Sequence, residues 1–193
     1  MRVFHGFEAL PPFRHPVVTV GSFDGVHLGH RALLGRLVDE ARAAGGESVV
    51  LTFEPHPRVT LGRADGLRLL TTLDEKLRLL AESEVDAVVV IPFDKAFSAL
   101  SGREFVAEYL VGRIGAETLV AGYNHRFGHD RLDADVVAAF GAMRVVKVGE
   151  QVFGGKHVSS TVIRRLLDEG NIPEAERLLG HPAQRIQNEK SSC

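Results

Sequence analysis

The sequence has a single cysteine among its 193 residues, Cys193, and it has no long apolar run. One cysteine excludes an internal disulfide, so a reducing compartment is permitted. No segment approaches the roughly 20 apolar residues that a membrane-spanning helix needs. Pro11 and Pro12 interrupt the N-terminal region where a signal peptide would have its apolar core. We therefore expect a soluble, cytoplasmic protein that makes no membrane contact.

An excess of basic charge is also missing. The chain carries 23 Lys and Arg residues against 25 Asp and Glu residues, which gives a formal net charge of −2 at pH 7. Proteins that bind nucleic acid non-specifically need such an excess, because they neutralise phosphates with Lys and Arg. We therefore expect no nucleic-acid partner, and any polyanion must be held by a local group of residues.

Short apolar runs alternate with helical patterns along the chain. This alternation is typical of a parallel sheet whose strands are joined by crossover helices. The chain has neither an internal repeat nor a linker, and its length suits one domain. The sequence predicts an α/β fold with a parallel sheet of about five strands and helices on both faces, the strands being residues 17–20, 48–53, 87–91, 118–121 and 145–148.

Several predicted helices have recognisable ends. Residues 31–44 carry apolar side chains at helical spacing and stop at Gly45, a common helix terminator. Thr72 with Glu75, and Ser101 with Glu104, have the form of capping boxes, in which a hydroxyl and a carboxylate satisfy the first free N–H groups of a helix. Further helices are predicted at residues 133–140, 160–168 and 173–179.

The loop after the first predicted strand, residues 21–30 (GSFDGVHLGH), leads directly into a helix. Ligands of open α/β sheets bind beyond the carboxyl ends of the strands, so this is a place to look for chemistry. A helix N-terminus offers unpaired N–H groups and about +0.5 of partial charge, which suits a phosphate. His27 and His30 lie on one helical face, and Gly29 leaves room for close approach. We predict that this loop holds the phosphates of a nucleotide.

Three other loops fall on the same predicted rim. The loop 52–58, TFEPHPR, follows the second strand, and its two prolines would fix the direction of Phe53 and His56. The loop 122–128, GYNHRFG, follows the fourth strand. The fifth strand leads through a glycine pair into residues 158–164, VSSTVIR, whose hydroxyls stand at the start of a helix.

Together these loops resemble the motifs of the nucleotidylyltransferase superfamily, and closely those of the FMN adenylyltransferase (FAD synthetase) module of bacterial bifunctional riboflavin kinase/FAD synthetases. The form G-x-F-D-G-V-H-x-G-H is met at residues 21–30, T-F-x-P-H-P at 52–57, G-x-[DN]-x-x-F-G at 122–128 and S-S-T-x-I-R at 159–164. His125 departs from the pattern, because many members have an aromatic residue there. The resemblance covers residues 17–182 and implies a Rossmann-like nucleotidylyltransferase fold.

The resemblance also divides the chain into a nucleotidylyltransferase domain, residues 1–182, and a polar C-terminal tail, residues 183–193. In the bifunctional proteins a riboflavin kinase domain follows at this point. Either this enzyme is free-standing or the chain is a piece of a longer one. We expect the kinase domain to be absent, riboflavin not to be a substrate, and FMN to come from a separate riboflavin kinase.

The reaction implied by the resemblance is transfer of AMP from ATP to FMN, which gives FAD and pyrophosphate in the presence of Mg²⁺. The FMN phosphate has a second pKa near 6 and is already ionised at neutral pH. The reaction therefore needs alignment of two polyanions and stabilisation of charge rather than a covalent nucleophile. Mg²⁺ is expected to bind mainly through ATP phosphates and water, without metal ligands from the protein.

Site residues follow from the same resemblance. His27 and His30 would donate hydrogen bonds to the phosphates, and Arg164 would add a permanent cation. The catalytic set is His27, His30, Ser160, Thr161 and Arg164. The remaining residues of the ATP side are Gly21, Ser22, Phe23, Asp24, Gly25, Gly29, Asn124, Phe127 and Ser159. The flavin side would be lined by Phe53, Pro55, His56 and Pro57.

The same residues have other interpretations. His27 and His30 could ligate a metal, but two histidines leave a zinc site short of ligands and no cysteine lies nearby. Ser160 taken alone is a plain helix cap. An enzyme of the same fold could use another phosphorylated acceptor, or CTP in place of ATP, because loops set specificity on a shared fold. A non-catalytic nucleotide-binding protein is the last alternative, and the complete catalytic set argues against it.

Overall fold

The computed structural model describes residues 1–63, 67–139, 141 and 143–183. In chain order its strands are β1 (Arg2–His5), β2 (Val17–Val20), β3 (Ser48–Glu54), β4 (Ala87–Pro92), β5 (Thr118–Gly122), β6 (Arg126–Phe127), β7 (Leu132–Asp133), β8 (Arg144–Val148), β9 (Val152–Phe153) and β10 (Lys156–His157). Its helices are α1 (Leu28–Ala43), α2 (Pro57–Thr60), α3 (Leu73–Ala81), α4 (Lys95–Ser98), α5 (Gly102–Glu104) with a π-helix (Phe105–Ile114) continuing it, α6 (Ala134–Ala139), α7 (Ser160–Asp168) and α8 (Ile172–Leu179).

Six strands form one parallel sheet in the order β1-β4-β3-β2-β5-β8. The five predicted strands are confirmed, with small shifts at their ends, and the sheet has one strand more than predicted. The additional strand, β1, pairs with β4 at the edge of the sheet. Three of its four residues are exposed and Phe4 is half-buried, so β1 lacks the apolar run that identifies an interior strand.

Helices cover both faces of the sheet, as predicted. On one face, α1 and α3 bury four leucines against the strands, namely Leu34, Leu37, Leu79 and Leu80. On the other face, the π-helix and α6 bury Phe105, Leu110 and Val137. The two C-terminal helices, α7 and α8, pack on each other and on Leu70. Within the described residues, no helix combines the length and the apolar character that crossing a membrane requires.

Side-chain caps determine where several helices begin. Helix α1 begins at Leu28, three residues before the predicted start, because Nδ1 of His27 accepts a hydrogen bond from the N–H of His30 at 3.3 Å. Ser101 and Glu104 form the predicted capping box. The helix that follows them is a π-helix, which spacing alone did not predict. Phe140, the predicted end of α6, and residues 184–193 of the predicted tail lie outside the described residues.

The strand order reverses between β2 and β5. From β2 the chain builds outward through β3 and β4, whereas β5 lies on the other side of β2 and leads to β8. In open α/β sheets a ligand crevice forms beyond the carboxyl ends of the strands at such a point. The ends of β2 and β5, at Val20 and Gly122, therefore mark where a site is expected.

Candidate active site

A cavity of about 480 Å³ opens at this reversal point, beyond the carboxyl ends of β2, β3, β5 and β8. We call it the histidine cavity, because four histidines line it: His27, His30, His56 and His125. None of its lining residues in the described ranges is acidic, which suits a polyanion. The rest of the lining consists of Val20, Gly21, Ser22, Phe23, Gly29, Leu33, Phe53, Pro57, Gly122, Tyr123, Asn124, Arg126, Val148, Gly149, Gln151 and Val158.

His27 and His30 stack on each other at the start of α1. Their ring centroids are 3.6 Å apart and their planes differ by 13°. Because Nδ1 of His27 accepts the capping hydrogen bond, the proton of the neutral ring is on Nε2. Burial lowers the pKa of His27 from 6.5 to about 4, against an opposing effect of the Asp24 carboxylate. His27 is therefore a neutral hydrogen-bond donor at pH 7.

His30 is neutral for related reasons. Burial lowers its pKa well below 6.5, and the neighbouring His27 and the ammonium of Lys76 act in the same direction. Its Nδ1 is shielded from solvent and has no hydrogen-bond partner within the described part of the chain. An unpaired polar atom of this kind has a free-energy cost that a bound ligand or water can remove.

His56 repeats the arrangement of His27 in the loop after β3. Its Nδ1 accepts a hydrogen bond from the N–H of Arg58 at 3.2 Å and caps α2. The neutral ring therefore also carries its proton on Nε2. Burial lowers its pKa, while Asp24 raises it by a smaller amount. Two loops thus present imidazoles that are fixed in one tautomer by their own helix caps.

Asp24 lies behind the wall of the histidine cavity and connects three segments. Its carboxylate is 3% exposed and pairs with Nη2 of Arg164 at 2.5 Å. Its Oδ1 accepts hydrogen bonds from the N–H groups of Leu70, at 2.9 Å, and Thr71, at 3.2 Å. The loop 21–30, the segment before α3 and helix α7 are therefore held together by one buried carboxylate.

The start of α7 meets the loop 21–30 directly, although its side chains do not line the histidine cavity. Ser160 Oγ donates a hydrogen bond to the carbonyl oxygen of Asp24 at 2.9 Å. Ser159 caps α7 by accepting from the N–H of Val162 at 3.3 Å, and Thr161 is exposed. The structure thus brings together the two loops predicted to hold phosphates. Contact of Ser159, Ser160, Thr161 and Arg164 with a phosphate stays a prediction.

A second cavity, of about 540 Å³, adjoins the first. We call it the aromatic cavity, because Phe53, Phe93, Phe97, Phe105 and Phe127 line it. The first three pack edge to face, with centroid distances of 5.1 Å for Phe53 and Phe93 and 5.7 Å for Phe93 and Phe97. The two cavities share the six lining residues Val20, Phe53, Pro57, Asn124, His125 and Arg126. The two cavities are therefore direct neighbours.

The structure places the predicted site residues as follows, and their roles stay predictions. Phe127, predicted for the ATP side, is buried and lines the aromatic cavity. His56, predicted for the flavin side, lines only the histidine cavity, and Pro55 is exposed and lines neither. Gly25 is a structural residue: its φ is +85°, and a Cβ there would lie 2.8 Å from Leu70 Cδ1.

Lys76 of α3 lines neither cavity but supports two residues that do, and the sequence analysis did not identify it. It is 5% exposed, and Nζ donates hydrogen bonds to the carbonyl oxygens of Ser22, at 3.3 Å, and Phe53, at 3.1 Å. Burial lowers its pKa, against the carboxylates of Glu54 and Asp24. Its spacing of four residues from the buried Leu80 was the available signal, because it places the lysine on the apolar face of the helix.

The six-stranded parallel sheet, with a crevice at the point where the strand order reverses, defines a Rossmann-like α/β fold. A comparison with family models gives the narrower assignment. The model described as FAD synthetase matches residues 11–162, and the chain belongs to that family.

Curated relatives agree with this assignment. The bifunctional riboflavin kinase/FMN adenylyltransferase of Escherichia coli (strain K12) is 37% identical over 188 residues, which are 94% of this chain and 60% of that protein. The protein of the same name from Listeria monocytogenes serovar 1/2a is 38% identical over 170 residues, which are 86% of this chain and 54% of that protein. The chain thus spans little more than half the length of these relatives.

Solved structures show the same fold. A Streptococcus pneumoniae protein described as a macrolide-efflux protein matches with a TM-score of 0.86 and 28% identity, over 95% of this chain and 72% of that one. Pantothenate synthetase from Thermus thermophilus matches with a TM-score of 0.55 and 17% identity, over 93% of this chain and 81% of that one. The second likeness is one of fold alone.

Proposed function

We propose that this protein transfers AMP from ATP to FMN. An oxygen of the FMN phosphate attacks the α-phosphorus of ATP, and the bond from that phosphorus to the oxygen bridging the β-phosphorus breaks. The bridging oxygen leaves with pyrophosphate, and the product is FAD. No proton has to be removed from the nucleophile, because the FMN phosphate is ionised at neutral pH.

The observation that carries this proposal is the shared wall of the two cavities. The histidine cavity has the N–H groups of a helix start and a lining without acidic residues, which suits a triphosphate. The aromatic cavity offers phenylalanine rings at packing distance, which suits a flat isoalloxazine ring. FMN combines such a ring with a phosphate, so one molecule can occupy the aromatic cavity and present its phosphate in the other. The chain's membership of the FAD synthetase family supports the same pairing.

In this proposal the neutral rings of His27 and His30 donate hydrogen bonds to phosphate oxygens of ATP. His27 donates from Nε2, since its Nδ1 is occupied by the helix cap. Charge moves from the α-phosphoryl group toward pyrophosphate as the bond breaks, so hydrogen bonds to the departing oxygens strengthen in the transition state. Binding a polyanion beside these rings raises their pKa, which allows them to take up part of that charge.

Mg²⁺ would enter this site with ATP. The one carboxylate of the loop 21–30, that of Asp24, is already engaged by Arg164, Leu70 and Thr71. Within the described ranges, no group of three or more His, Cys, Asp or Glu residues could hold a metal ion. Phosphate and water oxygens are therefore the ligands that we propose for Mg²⁺, which supplies charge neutralisation when bound.

The source of FMN is also part of the proposal. The curated relatives are named for riboflavin kinase as well as FMN adenylyltransferase activity, and this chain matches 54% to 60% of their length. We propose that a riboflavin kinase activity supplies the FMN used at this site. A cytoplasmic location stays a prediction.

The experiment that tests this function is an acceptor panel. Purified protein and Mg²⁺ are given ATP or CTP together with FMN, riboflavin or other phosphorylated acceptors, and pyrophosphate release and product mass are measured. FAD formed only from ATP and FMN is the expected result. Product from another acceptor or from CTP alone would identify a different transferase, and nucleotide binding without turnover would identify a non-catalytic protein.

A further inference from the structure

His125 lies where the two cavities meet. The turn after β5 holds its backbone, through a hydrogen bond of 3.0 Å from its N–H to the carbonyl oxygen of Gly122. Its ring packs on Phe127, with centroids 4.3 Å apart and planes inclined by 52°. The imidazole is thus fixed in place with one side toward each cavity.

Only three of the shared lining residues have side chains that form strong hydrogen bonds: Asn124, His125 and Arg126. Arg126 is paired with Asp133, and Asn124 hydrogen-bonds Tyr123. Neither ring nitrogen of His125 has a hydrogen-bond partner among the residues that the structure describes. Both ring nitrogens are therefore available to a group that enters either cavity, and a phosphate oxygen that accepts from one of them gains a charge-assisted hydrogen bond.

In the proposed reaction the phosphate of FMN has to pass His125. If FMN places its ring in the aromatic cavity, its phosphate must cross the shared wall to reach a nucleotide in the histidine cavity. We propose that the imidazole of His125 donates a hydrogen bond to the FMN phosphate at this crossing, and so orients the attacking phosphomonoester. This inference rests on the proposed function and adds a residue that contacts the acceptor.

The charge state of His125 agrees with this role. Burial lowers its pKa to about 4, and the Arg126 guanidinium acts in the same direction, so the free protein presents a neutral ring with one N–H donor. A neutral donor binds a phosphate with a hydrogen bond alone, and an adjacent dianion raises the pKa of the ring. Riboflavin, which has the same ring system and no phosphate, would gain nothing from His125.

The test compares FMN with riboflavin. His125→Phe keeps a ring against Phe127 and removes both nitrogens, and His125→Asn restores an N–H donor. His5→Phe, on the exposed edge strand β1, makes the same exchange outside both cavities. Dissociation constants for both flavins are measured by quenching of flavin fluorescence, and that of a non-hydrolysable ATP analogue by calorimetry, with thermal unfolding as the check on folding.

We expect His125→Phe to weaken FMN binding at least tenfold while the constants for riboflavin and the ATP analogue change less than twofold. We expect His125→Asn to recover part of the loss and His5→Phe to change nothing. Equal weakening of FMN and riboflavin, or no weakening of either, would overturn the inference and leave the proposed function standing. A wild-type protein that binds no FMN would overturn both.

Discussion

Arg164 and Asp24 form an ion pair that joins helix α7 to the loop after β2, with 2.5 Å between Nη2 and Oδ2. The two side chains are 13% and 3% exposed. Nε of Arg164 also donates to the carbonyl oxygen of Arg68 at 2.8 Å. The guanidinium that the sequence predicts as a phosphate ligand is thus already engaged in holding the phosphate loop, and we infer that it acts first as a positioning group.

Removal of one partner of this pair should destabilise the fold. Asp24→Asn leaves the Arg164 charge buried and unpaired, so we expect the free energy of unfolding in urea to fall by about 3 to 5 kcal/mol. Asp24→Asn with Arg164→Met should recover part of that loss. Arg42→Met, which breaks the exposed pair with Glu84, should change it by about 1 kcal/mol or less. Additive losses in the double variant would contradict a coupled pair.

The lowered pKa of His27 predicts a pH-dependent stability. The folded-state pKa is about 4 and the unfolded value is 6.5, so between these pH values the unfolded chain binds more protons. Stability therefore rises with pH across this window, by on the order of 3 kcal/mol for this residue, and is lost on acidification. His27→Asn keeps a capping acceptor and cannot titrate.

We expect the urea unfolding free energy of the His27→Asn variant to depend less steeply on pH between 4 and 6.5 than that of the wild type. Comparison of the two proteins removes the contribution of the carboxylates, which titrate in both. Parallel curves would show that His27 does not titrate differently in the folded and unfolded states.

His30 should act in the chemical step. We expect His30→Ala to lower kcat at least tenfold with ATP binding retained, because the proposed hydrogen bond tightens in the transition state. His30→Phe keeps a ring stacked on His27 but has no nitrogen, so we expect the same fall in kcat. Steady-state rates and calorimetric ATP binding are the measurements. Full activity of His30→Phe would reduce His30 to a packing role.

Lys76 should hold the loops after β2 and β3 in the positions that catalysis needs. Lys76→Met removes the donor shared by the Ser22 and Phe53 carbonyls, so the loops after β2 and β3 lose their common support. We expect kcat/KM to fall roughly tenfold to a hundredfold, since small misplacements of reacting groups have such effects. Lys95→Met, at an exposed position, is the control and should keep full activity. Wild-type kcat/KM in a folded Lys76→Met protein would contradict the role.

The buried strands, the helices on both faces and the position of a cavity at the strand ends could be predicted, because these features follow from local patterns and from the general geometry of parallel sheets. Alternation of apolar runs with helical spacing does not reveal an exposed edge strand such as β1. It also does not distinguish the π-helix, because the four-residue spacing of Val106, Leu110 and Ile114 fits both kinds of helix.

The other features that the sequence did not predict depend on contacts between segments that are far apart in the chain. The pairing of Arg164 with Asp24 spans 140 positions, and no local pattern indicates which cation a buried carboxylate will meet. The placement of Phe127 in the aromatic cavity depends on the small hairpin β6–β7, which is too short to show strand periodicity. Spacing places Lys76 on the apolar face of α3, but it does not indicate which strand-end carbonyls the ammonium will meet.

The most direct test of the proposed transfer follows the oxygen atoms. FMN labelled with ¹⁸O at its terminal phosphate oxygens is incubated with unlabelled ATP, Mg²⁺ and the wild-type protein, and FAD and pyrophosphate are analysed by mass spectrometry. Attack by the FMN phosphate predicts FAD that retains every labelled oxygen, with one unlabelled pyrophosphate per FAD. Absence of FAD, or label in the pyrophosphate, would contradict the account.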